Sequence, residues 1–185
     1  EVVEAARLLR DDDRFRFLFV GSGPRRAAIE AFIADHGLAH ARYEDYFPRD
    51  QLAASLSAGD IHLLTLQEEM AGIAVPSKLY GVMAVARPVV MVGPERSEPG
   101  RTILEHDLGA VVDPTAGGTA ADLVDALLRL ADDPDGRDAI GSRARAAFEA
   151  DFDRPILTER WAQLLADHLG TTLHDSEAPV ALADA

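Results

Sequence analysis

Two kinds of apolar run alternate along this chain, and their alternation sets the expected fold class. Val2, Val3, Ala5, Ala6, Leu8 and Leu9 recur at amphipathic-helix spacing before a polar break at Asp11–Asp13. Phe15-Arg16-Phe17-Leu18-Phe19-Val20 reads as a strand that becomes more buried along its length. It closes in Gly21-Ser22-Gly23-Pro24, and a helical pattern follows from about Arg25 to His36. A weaker strand is expected over Ala41–Phe47, and Pro48-Arg49-Asp50 opens a helix reaching about Ala58.

Asp60–Leu66 is a third strand, and a long loop from Gln67 to Val75 leads to a helix beginning near Ser77. Val89-Val90-Met91-Val92 is wholly apolar, the pattern of a strand buried on both faces, and Gly93-Pro94 closes it. A helix over about Arg101–His106 precedes a last strand at Gly109–Asp113. Beyond Thr119 the strand pattern stops. Leu123, Val124, Leu127, Leu128 and Leu130 mark one helix, Ile140, Ala144, Ala147 and Phe148 a second, and Ile156, Leu157, Trp161, Leu164 and Leu165 a third. The acidic, alanine-rich segment 171–185 has the composition of a disordered tail.

Repeated strand-helix units imply an α/β fold: a Rossmann-like, doubly wound parallel sheet with helices on both faces. Ligands of such sheets bind at the C-terminal ends of the strands. Attention therefore falls on 21–24, 46–49, 66–78 and 93–100.

Composition narrows the chemistry. The chain has 185 residues and a formal charge of −14, from 32 acidic and 18 basic residues, which disfavours a nucleic-acid partner overall while leaving room for a local anion site. With no cysteine, disulfides, thiolate zinc sites and cysteine nucleophiles are excluded. The six histidines do not cluster: His36 and His40, four positions apart, flank a loop, and no HExxH pattern occurs, so no metal site is expected. No window approaches a transmembrane span, and no signal peptide is read at Glu1. The chain starts within a helical pattern and reads as a fragment of a longer protein.

Lys78 is the only lysine in the sequence. In Pro76-Ser77-Lys78 a helix-starting proline, a hydroxyl at a capping position and a cation share the first turn of one helix. A lysine there opposes the helix dipole at a cost of about 0.3–1 kcal/mol, which a bound diphosphate would offset. Spacing alone favours an ordinary surface lysine on an amphipathic helix. Gly21-Ser22-Gly23 lacks the third glycine of a dinucleotide fingerprint, Arg26 standing in its place, so the two glycines serve either a tight turn or close approach of a phosphate or sugar. Glu68 and Glu69 stand where they would contact sugar hydroxyls or simply be solvated. The polar residues Arg96, Ser97, Glu98 and Arg101 occupy another strand end. No Walker A loop or GxSxG elbow occurs.

The run Pro76-Ser77-Lys78-Leu79-Tyr80-Gly81-Val82-Met83-Ala84, with Arg87-Pro88-Val89-Val90 after it, resembles the C-terminal, donor-binding half of family 4-like retaining glycosyltransferases of the GT-B type. The flavour is that of the bacterial O-antigen and colanic-acid polysaccharide group. The likeness extends from Glu1 to about Leu165 and takes in Phe19–Pro24, Ala58–Ile61, Ile103–Glu105 with Gly109, and the helices from Arg143 to Trp161.

The resemblance implies a GT-B C-terminal domain over 1–170 that binds a nucleotide-diphosphate sugar as donor substrate, without a metal cofactor. A missing N-terminal domain would bring a saccharide or lipid-linked acceptor. By position, Ser77 and Lys78, next to Pro76 in the donor-binding turn, would meet the diphosphate, with Lys78 as the catalytic cation stabilising the leaving group, and Gly81 would lie beside the ribose. The Tyr46, Phe47 and Pro48 loop would approach the base, while Gly21, Gly23 and Glu69 join the expected donor-binding set on the reading of their own loops, and the resemblance leaves sugar recognition unassigned. It also implies a hexosyltransferase acting in cell-envelope polysaccharide synthesis, at a cytoplasmic address that admits peripheral association with the inner face of the membrane. A sugar-nucleotide epimerase of the same architecture and a non-catalytic nucleotide-sugar module are the alternatives.

Three departures qualify the resemblance. The Glu-x7-Glu motif of many relatives falls on Ile73 and Gly81, so neither carboxylate carries over. Ala86 replaces the glycine usual before Arg-Pro. A first strand, central in the expected 3-2-1-4-5-6 order, is missing along with its Gly-rich basic loop, so the fragment is expected to be inactive by itself and less robust than an intact domain.

Overall fold

The computed structural model describes residues 1–169; the expected tail at 171–185 lies outside the described residues. Residues 1–148 form one compact unit, and a second begins at Glu149. In the first, α1 (Val2–Leu8) leads to β1 (Phe17–Val20), α2 (Arg26–Asp35), β2 (Ala41–Glu44), α3 (Leu52–Ser57) and β3 (His62–Thr65). Then come α4 (Lys78–Ala84), β4 (Val89–Val92), α5 (Glu98–Glu105), β5 (Gly109–Val112), α6 (Ala120–Asp132) and α7 (Pro134–Ala147). A π-helical turn over Phe148–Phe152 precedes α8 (Arg154–Leu169).

All strand pairings are parallel, as the alternating pattern requires, but the sheet is in two pieces: β1 with β2, and β3-β4-β5. The wholly apolar β4 is central in the larger piece and buried at all four residues. Phe17 and Ala41 from one piece and Val90, Val92 and Val112 from the other share a single core with Ala5 and Ala6 of α1 and Leu123 and Leu127 of α6. Burying the valine, leucine and phenylalanine side chains among them supplies about 1.5–3 kcal/mol each, the main force holding the unit together.

Each piece has two edge strands, β1 and β2 in one and β3 and β5 in the other, and the edges of β1 and β3 bear on the candidate site. Phe17 and Gly21 donate to His40 and Glu44, so β1 turns the backbone groups of Leu18 and Val20 away from β2. His62 and Leu66 donate to Pro88 and Val92, so β3 turns those of Leu63 and Thr65 away from β4. No described strand pairs with either edge. Leu18 (44%) and Val20 (42%) are exposed on β1 as well.

Several boundaries differ from expectation for local reasons. The second strand ends at Glu44, not Phe47, because Asp45–Pro48 is an exposed loop after the last ladder bond, Gly21 N–H to Glu44. The helix expected from Pro48 is a 3₁₀ turn over Arg49–Gln51 followed by α3. Helix α5 begins at Glu98, three residues earlier than expected: Ser97 caps it by accepting from Gly100 N–H at 3.2 Å, and Pro99 occupies the first turn, where its missing N–H costs nothing.

Ala86 explains the glycine preference at its position. Helix α4 closes with Ala86 N–H bonded to Met83 and Arg87 N–H bonded to Val82, a Schellman motif, and Ala86 takes a φ of +56°. That left-handed conformation disfavours any residue with a Cβ. Backbone packing fixes the turn further, since a Cβ on Gly141 of α7 would meet the Ala86 carbonyl oxygen at 2.2 Å.

Candidate functional site

Ser77, Lys78 and Gly81 are placed by α4, the helix that follows the C-terminal end of β3. Ser77 stands at the N-cap, yet its side chain makes no capping bond and the residue is exposed. Its hydroxyl is therefore not committed to the helix, unlike that of Ser97 on α5. Pro76 accepts from Leu79 N–H at 3.1 Å, so the turn holds without the serine.

Lys78 extends from the first turn of α4 to the open edge of β3, where its ammonium donates to the Leu63 carbonyl at 3.1 Å. The residue as a whole stays solvent-accessible. Crowding is concentrated at the ammonium end, where burial lowers its pKa from the ordinary lysine value. A lysine ammonium has three donors, so the bond to Leu63 leaves two for other acceptors.

Gly81 has a packing role that the sequence did not reveal: a Cβ there would meet Cδ1 of Leu56 on α3 at 2.9 Å. Under the same helices, His62 is buried and its Nε2 is 2.7 Å from the Leu56 carbonyl oxygen, which fits Nε2–H as donor. Burial pushes its pKa down to about 4 despite that bond, with smaller contributions from Lys78 and Arg87. His36 bonds the Phe32 carbonyl and His40 the Ala6 carbonyl. All three rings bond backbone carbonyls. No cluster of three or more His, Asp or Glu side chains among the described residues is arranged to hold a metal ion.

The loops after β3 and β4 are tied together by side chains. Arg96 pairs with Glu68, whose other oxygen, Oε2, is buried without a hydrogen-bond partner. Tyr80 of α4 donates to Glu98 Oε1 at 2.7 Å, and Thr102 also reaches that oxygen at 3.3 Å. Burial, and then the adjacent carboxylate, push the Tyr80 phenol pKa well up. The residues expected as a polar contact loop thus have structural partners: Ser97 caps α5 and Glu98 anchors Tyr80. Glu69 is exposed and pairs with no base among the described residues. Neither Glu98 nor Glu68 carries a sequence signal for these pairings, which depend on tertiary contacts.

A second group sits on the β1-β2 piece. Gly21 follows β1 with a φ of +135°, and a Cβ there would lie 3.1 Å from the Tyr46 ring. Its glycine is required both by conformation and by the aromatic packed on it. Gly23 differs: its φ is ordinary and nothing lies within 4 Å of where a Cβ would stand. Tyr46 (70% exposed), Phe47 (42%) and Pro48 form an accessible apolar rim after β2. Beside them Phe19 and Tyr43 stack with centroids 6.1 Å apart, and Arg26 lies 4.8 Å over the Tyr43 ring while pairing with Asp45.

Gly21 and Tyr46 therefore touch each other, and Pro76, Ser77, Lys78 and Gly81 gather at α4. The two groups belong to different pieces of the broken sheet, both at the strand ends that carry ligands in doubly wound folds.

Such a domain, with parallel strands alternating with helices, is of the Rossmann-like class. Residues 1–133 match the family model described as glycosyl transferases group 1, and the chain belongs to that family. It is 27% identical over 161 residues to a probable glycosyltransferase, WbjE, of Pseudomonas aeruginosa, covering 87% of this chain and 39% of that protein. Over 135 residues it is 32% identical to the 2-deoxystreptamine glucosyltransferase of Streptomyces kanamyceticus, covering 71% of this chain and 32% of the relative. Over 100 residues it is 33% identical to the putative colanic acid biosynthesis glycosyl transferase WcaI of Escherichia coli K12, covering 54% and 24%. The chain thus spans at most about two fifths of the length of these relatives.

The crystal structure of WaaG, a glycosyltransferase involved in lipopolysaccharide biosynthesis, superposes with a TM-score of 0.68 at 20% identity, over 88% of this chain and 42% of that one. The fold is the GT-B glycosyltransferase fold, as the sequence led us to expect. No helix among the described residues is long and apolar enough to cross a membrane.

Proposed function

We propose that this chain is the donor-binding part of a retaining glycosyltransferase that takes a nucleotide-diphosphate sugar and transfers the glycosyl group to a saccharide or lipid-linked acceptor. The observation that carries the reading is the first turn of α4, where Ser77 keeps its hydroxyl uncommitted and Lys78 keeps two ammonium donors. In a chain of net charge −14, that turn is a local site for an anion.

In this reading Ser77 and Lys78 hold the diphosphate, and Lys78 stabilises the negative charge that grows on it as the glycosidic bond breaks. The transition state gains more from the ammonium than the bound donor does, which is the condition for rate acceleration. Tyr46 and Phe47 present flat apolar surface to the base, and the open space over Gly23 lets backbone approach the donor. Gly81 keeps α4 close to α3 and so sets the position of Lys78. Glu69 is accessible to a sugar hydroxyl, and the acceptor is presented by a part of the protein outside this chain. The reaction belongs to cell-envelope polysaccharide synthesis and proceeds without a metal.

The test is a panel of nucleotide-diphosphate sugars against the full-length protein, scoring thermal stabilisation and sugar transfer. Stabilisation by one base class, with transfer lost in Lys78→Ala while the fold persists, is the expected result. Transfer undiminished in Lys78→Ala would reject the assignment.

A further inference from the structure

A cavity of about 240 Å³ lies between β5, α6 and α7, remote in topology from the α4 turn. Gly109 and Ala110, at the start of β5, line it, whereas Ser77 and Lys78 follow the end of β3. Because the strands are parallel, the two places are at opposite ends of the sheet.

The lining has two characters. Ala110, Ala126, Leu130 and Ile140 make an apolar wall, and Arg129 and Arg137 bring two guanidinium groups. Most arginines that bond through side chains in this acidic protein pair with a carboxylate, as Arg7, Arg14, Arg26, Arg96, Arg143 and Arg160 do. Neither Arg129 nor Arg137 has such a partner among the described residues. Arg137 makes one long bond, Nη1 to the Leu130 carbonyl at 3.3 Å, and its Nε is buried with no acceptor. Buried N–H donors are normally satisfied, and most strongly by an ionised acceptor. The acid at the rim, Asp133, accepts from Gly136 N–H at 2.9 Å as the N-cap of α7, which engages its Oδ1.

We propose that this cavity is a binding site for a small carboxylate carrying a short aliphatic chain. The carboxylate takes the Nη donors of Arg137 that the Leu130 carbonyl leaves over, Nε itself being shielded, and the exposed guanidinium of Arg129, and the chain lies on Ala110, Ala126, Leu130 and Ile140. The site is independent of the glycosyl-transfer reading.

Calorimetric titration of the 185-residue chain with 4-methylpentanoate, and with 4-methylpentanol as the uncharged match, tests it. The acid is expected to bind saturably and at least about tenfold more tightly than the alcohol, since a charge-assisted contact separates them. Arg137→Gln should weaken acid binding about tenfold or more. Arg129→Gln, at an exposed position where the fold is not at stake, should weaken it severalfold with an unchanged melt. No saturable binding, equal binding of acid and alcohol, or full affinity in Arg129→Gln would each overturn the proposal.

Discussion

The Lys78 ammonium lies 3.1 Å from the Leu63 carbonyl oxygen, on the edge of β3 that no described strand pairs. One residue thus joins the proposed diphosphate site to the open sheet edge. A lysine on an exposed edge satisfies a backbone acceptor and blunts unwanted strand pairing. The two roles are compatible, because the ammonium has donors left over, and both place Lys78 where α4 meets the sheet.

Tyr46 should contribute to nucleotide binding and hardly to folding. It is mostly exposed, so Tyr46→Ala should leave the melting temperature within about 2 °C while reducing nucleotide affinity by the stacking contribution, about 1–3 kcal/mol. Gly21→Val should do the reverse, lowering stability, because φ is +135° and the Tyr46 ring fills the space a Cβ needs. Paired thermal melts and nucleotide titrations separate the two; a Tyr46→Ala protein with full affinity would remove the base assignment.

His62 should make the fold acid-sensitive over a defined window. Its folded pKa is about 4 against an ordinary 6.5, so between those values the unfolded chain binds the proton more readily. Stability contributed by the neutral ring is complete above pH 6.5 and is lost as pH falls through 4, by about 3 kcal/mol. Other groups titrate there too, so the comparison is with His62→Gln, whose amide can still donate to Leu56. Urea unfolding at pH 7, 5 and 4 should show a shallower acid loss in the variant; parallel curves would contradict the account.

Ala86→Gly should stabilise the unit by about 1 kcal/mol, because it removes a Cβ from a left-handed residue at the end of α4. Chemical denaturation measures this directly, and a destabilised variant would show that the Schellman turn is not the controlling feature. The gain should not alter nucleotide affinity.

Tyr80→Phe should cost about 1–3 kcal/mol, since Glu98 Oε1 loses its 2.7 Å donor and keeps only the longer bond from Thr102. Equilibrium unfolding at neutral pH is the measurement. No loss would mean that the pair does not tie α4 to α5.

Much of this fold was legible because burial dictates pattern. Val89–Val92, enclosed on both faces, is apolar at every position, and Gly93-Pro94 closes it. The start of α5 was misplaced because Pro99-Gly100 reads as a break, although proline in a first turn behind a capping serine is a helix start. Tyr46 and Phe47 continue a β-prone run in sequence, yet lie past the last ladder bond. At the site, the grouping of Pro76, Ser77 and Lys78 could be read because it is local. The Lys78–Leu63, Tyr80–Glu98 and Arg96–Glu68 pairings could not, since each joins residues 15 to 28 positions apart and no periodicity encodes them.

The central claim is that the first turn of α4 holds a diphosphate, and nucleoside diphosphate affinity in Lys78→Ala measures it most directly. Calorimetry on the full-length protein should give a dissociation constant at least about tenfold weaker than wild type, the loss of one charge-assisted contact, with cooperative unfolding retained. An unchanged dissociation constant in a folded Lys78→Ala protein would contradict the account and leave Lys78 only the open edge of β3.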